Sequence, residues 1–171
     1  MELDTTQFVI NLLLRWAHIL AAITAVGGTI FMRWALLPVV SELPEADRKT
    51  LHDGIRRRWA LPVHLSVGFL LISGFYNYLV YTRLQHEGDA PYHALFGVKF
   101  LLALVIFFVA EMLVGRSAAA DRFRQRRKAW LTLNMALAIA VVMISGVMRT
   151  LPHKPPPTEL APATTAEVES P

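Results

Sequence analysis

The chain has 171 residues, 54% of them hydrophobic, a mean hydropathy of +0.42, a formal net charge of +4 and no cysteine. That hydropathy lies outside the ordinary soluble range, and the lack of cysteine excludes a disulfide framework, a thiolate zinc or iron–sulfur site and a thiol nucleophile. Lys and Arg fall in short blocks between long apolar runs, which is the pattern of membrane topology, so the basic pI near 9.8 does not point to nucleic acid.

Four apolar stretches, at about 9–39, 59–82, 95–115 and 129–149, are long enough to cross a bilayer, which takes about 20 apolar residues per helix. In lipid a helix satisfies its own backbone, and these runs lack the alternation of barrel strands. The expected fold is therefore all-α: a polytopic integral membrane protein with four transmembrane helices in an antiparallel bundle, surrounded by the lipid bilayer.

The first stretch follows the acidic "MELDTT" and is too long for a signal-peptide core, so it reads as a permanent span. It contains Arg15 and Arg33, which places its lipid-embedded part at about Leu12–Met32, with an extension ending near Pro38. The segment 41–58, read as a loop, carries five Lys and Arg, and the loop 116–128 carries six. Opposite them stand Arg83, Lys154 and the span-end residues Arg15 and Arg149. The asymmetry predicts that both termini face outside the cytoplasm, in a bacterial cytoplasmic (inner) membrane. The transmembrane domain is read as 1–151. Residues 152–171 hold six of the ten prolines and are expected to form a disordered extracytoplasmic tail.

Two segments repeat weakly. "RRRW" followed by "ISG" (Trp59, Ile72–Gly74) recurs as "RRKAW" followed by "ISG" (Trp130, Ile144–Gly146), so spans 1–2 and 3–4 read as two copies of one hairpin. Small residues at Ala21, Ala25, Gly28 and Thr29, and at Ala136 and Ala140, favour close helix approach.

Ionisable residues inside spans are costly and either face the bundle interior or find a partner. With a rise of about 1.5 Å per residue, His18 and Lys99 lie roughly 9 Å and 6 Å below the outer boundary and share a layer. His64, Arg33 and Glu111 form a second layer near the inner boundary, where an Arg33–Glu111 ion pair is the simplest expectation. His18 and His64 differ in depth by more than about 10 Å, so they should not share one haem plane, whereas His18 and Lys99 could. Lys99 can also snorkel to the headgroups. The methionines form no regular ladder and read as packing residues.

"PYHALFGVKFLLALVIF", with Tyr92 opening a helix and Lys99 seven residues later, resembles a segment of the copper resistance protein D (CopD) membrane domain. "RWAHILAAITAVGGTIF" is similar to the first helix of that family, "RRRWALPVHLSVGFLLISGFYNYL" to a helix ending in a Thr/Ser-Gly motif, and "MRTLPHKPP" to its proline-marked end. The resemblance covers about residues 11–155. It implies copper ion transport or copper homeostasis across the membrane, with His18 as metal contact, help from His93 and less from His64, and Lys99 setting the electrostatics of the entrance. A weaker resemblance, through His18 and the Val98–Lys99 pair, is to the HemJ-type protoporphyrinogen oxidases; it implies a b-type haem protein with His18 and Lys99 as axial ligands, and so a haem-dependent membrane oxidoreductase. A third reading is a membrane scaffold with no small-molecule chemistry. The copper reading, which needs no enzymatic activity, ranks first, and four helices make a pore narrow enough to be compatible with a homodimer.

Overall fold

In the computed structural model, residues 5–83 and 89–150 are described, apart from the side chains of Tyr81 and Thr82. The proline-rich tail, with His153 and Lys154, and His86 lie outside them. The described residues form helices without strands. α1 runs over Thr5–Ser41 with a π-helical turn at Met32–Leu36, α2 over Glu45–Val80, α3 over Ala90–Val114, the short α4 over Ala118–Arg124 and α5 over Arg127–Thr150. α1, α2, α3 and α5 are each long and apolar enough to cross a membrane, giving the all-α polytopic bundle expected.

Two boundaries differ from the sequence reading. The basic stretch 41–58 is no loop beyond its first residues, because α2 begins at Glu45, four residues after α1 ends. Its N-terminal turn carries Glu45 and Asp47, favourable at the positive end of the helix dipole, and Arg48–Glu45 and Arg56–Asp53 pair at i,i+3. Charge moves this part out of the apolar zone without stopping the helix. Residues 116–128, likewise read as loop, contain α4, whose N-cap Ser117 accepts from the Ala120 amide at 3.2 Å. Pro62 lies inside α2 and does not end it. At the start of α3 the Asp89 side chain accepts from the Tyr92 amide at 3.2 Å, with Pro91 in the first turn.

Packing is closest between α1 and α2 and between α3 and α5, two antiparallel hairpins. α2 also packs on α3 and α5 on α1, which leaves α1 opposite α3 and α2 opposite α5 across the bundle. Large apolar side chains point away from this core on every span, among them Leu20, Ile72, Leu101 and Met143, each more than 60% exposed. In water such a surface would drive aggregation, and in a bilayer it is the lipid-facing surface. The interior is narrow: Val40 and Val109 are 1% exposed, and the Trp59 ring of α2 lies directly on Gly28 of α1.

Candidate functional site

His18 sits on α1 and faces α2. Its Nδ1 is 2.7 Å from the Ser73 hydroxyl oxygen, and its Cε1 lies 3.9 Å from the position a Cβ on Gly74 would take. The Ser73 hydroxyl donates to the Phe69 carbonyl one turn earlier. A hydroxyl has one proton, and with that proton directed at Phe69, the Ser73 oxygen can only accept from the imidazole. That donor assignment makes His18 the Nδ1–H tautomer, with the lone pair of the neutral ring on Nε2. Ser73 is 4% exposed, so water does not compete for this bond.

Lys99, on the opposite helix α3, lies within electrostatic range of the His18 ring. Antiparallel register agrees with that placement: Phe75, two residues after Ser73 on α2, meets Phe100, next to Lys99, edge-on at 5.1 Å. The structure thus gathers His18, Ser73 and Lys99 from three helices into one layer of the bundle.

His93 is placed elsewhere. Its Nδ1 is 3.2 Å from the Tyr78 hydroxyl, and the Tyr78 ring stacks on Phe96 at 3.8 Å. Six residues separate His93 from Lys99, about 9 Å along α3, toward the end of the bundle where Gln7, Asn11 and Tyr76 join in a hydrogen-bonded group. Tyr92, the opening residue of the Tyr–Lys motif, is buried at that same end, two helical turns from Lys99.

In the other layer the expected Arg33–Glu111 pair does not form. Glu111 accepts from or pairs with His64, whose Nδ1 is 2.9 and 2.8 Å from its two carboxylate oxygens. Arg33 Nε donates to the Thr132 hydroxyl at 2.7 Å, and its guanidinium lies over the Trp34 ring at 5.3 Å. The reason is lateral: Arg33 belongs to the π-helical turn of α1, which faces α5, whereas Glu111 faces α2. His64 lies nine residues before Ser73, about 13 Å along α2, so it takes no part in the His18 layer. Removing one member of this part-exposed pair leaves the other without its partner. Glu111→Leu is expected to lower stability by about 1–3 kcal/mol, and Glu111→Leu combined with His64→Phe to recover most of it, read by thermal unfolding in detergent; additive losses would contradict the coupling.

Among the described residues no three His, Cys, Asp or Glu side chains converge as a metal cage. The His18 layer instead offers two nitrogens, the imidazole Nε2 and the Lys99 amine, from facing helices. Sequence reasoning missed Ser73, which fixes the ring, and Tyr78, which holds His93. The "ISG" repeat contained the signal for Ser73, but Ser145 in the second copy only donates to its own helix, at the Val141 carbonyl. Comparison of the chain with protein-family models, with curated proteins and with solved structures gives no match.

Proposed function

We propose that this integral membrane protein binds a b-type haem through His18, with Lys99 as the second axial ligand, and acts as a membrane oxidoreductase. The observation that carries the reading is the His18–Ser73 hydrogen bond: an N–H held by a buried acceptor orients the ring and leaves Nε2 for a metal, the arrangement seen around metal-bound imidazoles. A haem bound in this layer would be held by His18 and by Lys99 from the facing helix, both side chains with a nitrogen able to coordinate iron. Bound there, haem would supply one-electron chemistry. The chain's own part is to hold the imidazole in one tautomer and to present the Lys99 amine to it from the facing helix.

Copper handling, as the CopD resemblance implies, is the second reading. It keeps His18 as the contact and is supported by the extent of that resemblance, about residues 11–155. It is weakened by the distance of His93, which is engaged by Tyr78.

The visible absorption spectrum of the purified protein separates the two. The haem reading expects a strong Soret band that is lost in His18→Ala and shifted in Lys99→Met. A colourless protein that binds one copper ion and loses it in His18→Ala would establish the copper reading instead. If neither group binds, the scaffold reading is the one that remains.

A further inference from the structure

Guanidinium groups crowd the basic end of the bundle, around the carbonyl of Gly115 at the end of α3. Arg56 Nη1 donates to that oxygen at 3.2 Å and Arg124 Nη1 at 2.5 Å. Arg127 stands close enough to both for their charges to bear on it, and it donates to His52 Nδ1. That bond requires His52 Nδ1 to accept, so the ring is uncharged and adds no further positive charge to the cluster. Two carboxylates serve this group, Asp53 beside Arg56 at 3.4 Å and Asp121 beside Arg124. Both are largely committed to their i,i+3 partners.

Behind the guanidiniums is a cavity of about 70 Å³ between α1, α2, α3 and α5. It is large enough for several waters or one small oxyanion, since a water needs about 10–15 Å³ by this measure. Most of its wall is apolar, but His52, Arg56, Arg127 and Asn134 also line it. The first three of these line an open cleft of about 600 Å³ as well, where Arg48, Lys49, Arg124 and Lys128 outnumber the carboxylates Glu45, Asp53 and Asp121, and so stand between cavity and cleft. Two of the residues lining the cavity carry a buried side-chain atom without a partner, Arg56 Nε and Asn134 Oδ1. Asn134 is only 3% exposed. A stranded buried donor and a stranded buried acceptor each carry a desolvation cost that a ligand can remove.

We infer that this wall is a binding site for a phosphate group that still carries one acid proton. The guanidiniums of Arg127 and Arg56 supply donors to its oxygens, and Asn134 Oδ1 accepts its P–OH. The acid proton sets the chemistry: a fully ionised oxyanion such as sulfate satisfies Arg56 and leaves Asn134 unmatched. The cleft admits either soluble phosphate or the phosphate monoester headgroup of phosphatidic acid.

The test is calorimetric titration of inorganic phosphate into the full chain in phosphatidylcholine nanodiscs at constant ionic strength, with sulfate alongside, and native mass spectrometry of the chain with added phosphatidic acid. Saturable phosphate binding, tighter than sulfate, is the soluble-ligand outcome, and retained phosphatidic acid is the lipid outcome. Either supports the site if Arg127→Gln weakens it about tenfold or more while Arg122→Gln, exposed on α4, leaves it unchanged. Asn134→Leu removes the stranded oxygen without altering charge. It is expected to fold at least as stably and to lose the preference for phosphate over sulfate. Binding of neither probe, equal binding by the wild type and Arg127→Gln, or an undiminished preference in Asn134→Leu overturns the inference.

Discussion

Gly28→Ala is expected to destabilise the bundle by about 1–3 kcal/mol, whereas Gly27→Ala, one residue earlier, is expected to be neutral or stabilising by up to about 1 kcal/mol. A Cβ on Gly28 would lie 2.1 Å from Cζ2 and 2.8 Å from Cη2 of Trp59, while one on Gly27 meets nothing within 4 Å. Ordinary carbon contacts are about 3.5–4 Å, so the indole must retreat by more than an ångström. A retreat of that size takes the ring toward the cavity that it lines beneath the guanidinium cluster, at the cost of an off-rotamer indole or a shifted α1–α2 seam. Helix propensity favours alanine at both positions by a similar amount. Steric overlap must therefore decide the difference. Unfolding followed by size-exclusion chromatography after heating measures it directly, and equal midpoints for the two variants would contradict the packing. Replacing the indole should remove the penalty, so Gly28→Ala in a Trp59→Leu background is expected to cost less than in the wild type.

The same contact shows which features of this protein are legible before folding. The small-residue stripe that includes Gly28 is visible as a pattern, but its partner is not, since Trp59 lies 31 residues later at the start of what reads as the second span. Spans are legible because lipid leaves the backbone no alternative to internal hydrogen bonding. Helix ends beyond the lipid are less so. The basic run before Trp59 marks an exit from the apolar zone, yet its Asp and Glu residues pair with Arg one turn away and carry α2 back to Glu45. Depth is legible by counting residues, whereas azimuth is not. Arg33 and Glu111 are close in depth, but one faces Thr132 on α5 and the other His64 on α2. The His18–Ser73 bond combines both kinds of information. Counting from either end puts the two at similar depth, and only the rotation of α2 distinguishes Ser73 from the equivalent serine, Ser145.

Ser73→Ala is expected to weaken metal-centre binding at His18 about 10- to 100-fold without unfolding the bundle. Ser73 touches no ligand in this reading and is a positioning residue: its oxygen accepts a hydrogen bond from His18 Nδ1–H, and its hydroxyl donates one to the Phe69 carbonyl. Without the hydroxyl the Nδ1–H loses its acceptor, and the imidazole is free to move its proton to Nε2, the nitrogen the proposed metal needs. One net hydrogen bond of about 1 kcal/mol corresponds to roughly fivefold in the tautomer ratio. The ¹⁵N chemical shifts of a histidine-labelled sample read this ratio even in protein without cofactor. Wild type is expected to show His18 predominantly as the Nδ1–H form, and Ser73→Ala a mixture. Ser73→Thr keeps the hydroxyl and is expected to restore both the tautomer and the binding. A variant that lost stability alone would leave the tautomer where it was, so an unchanged ¹⁵N pattern in Ser73→Ala would remove Ser73 from the site and, with it, the reason for assigning Nε2 to a metal.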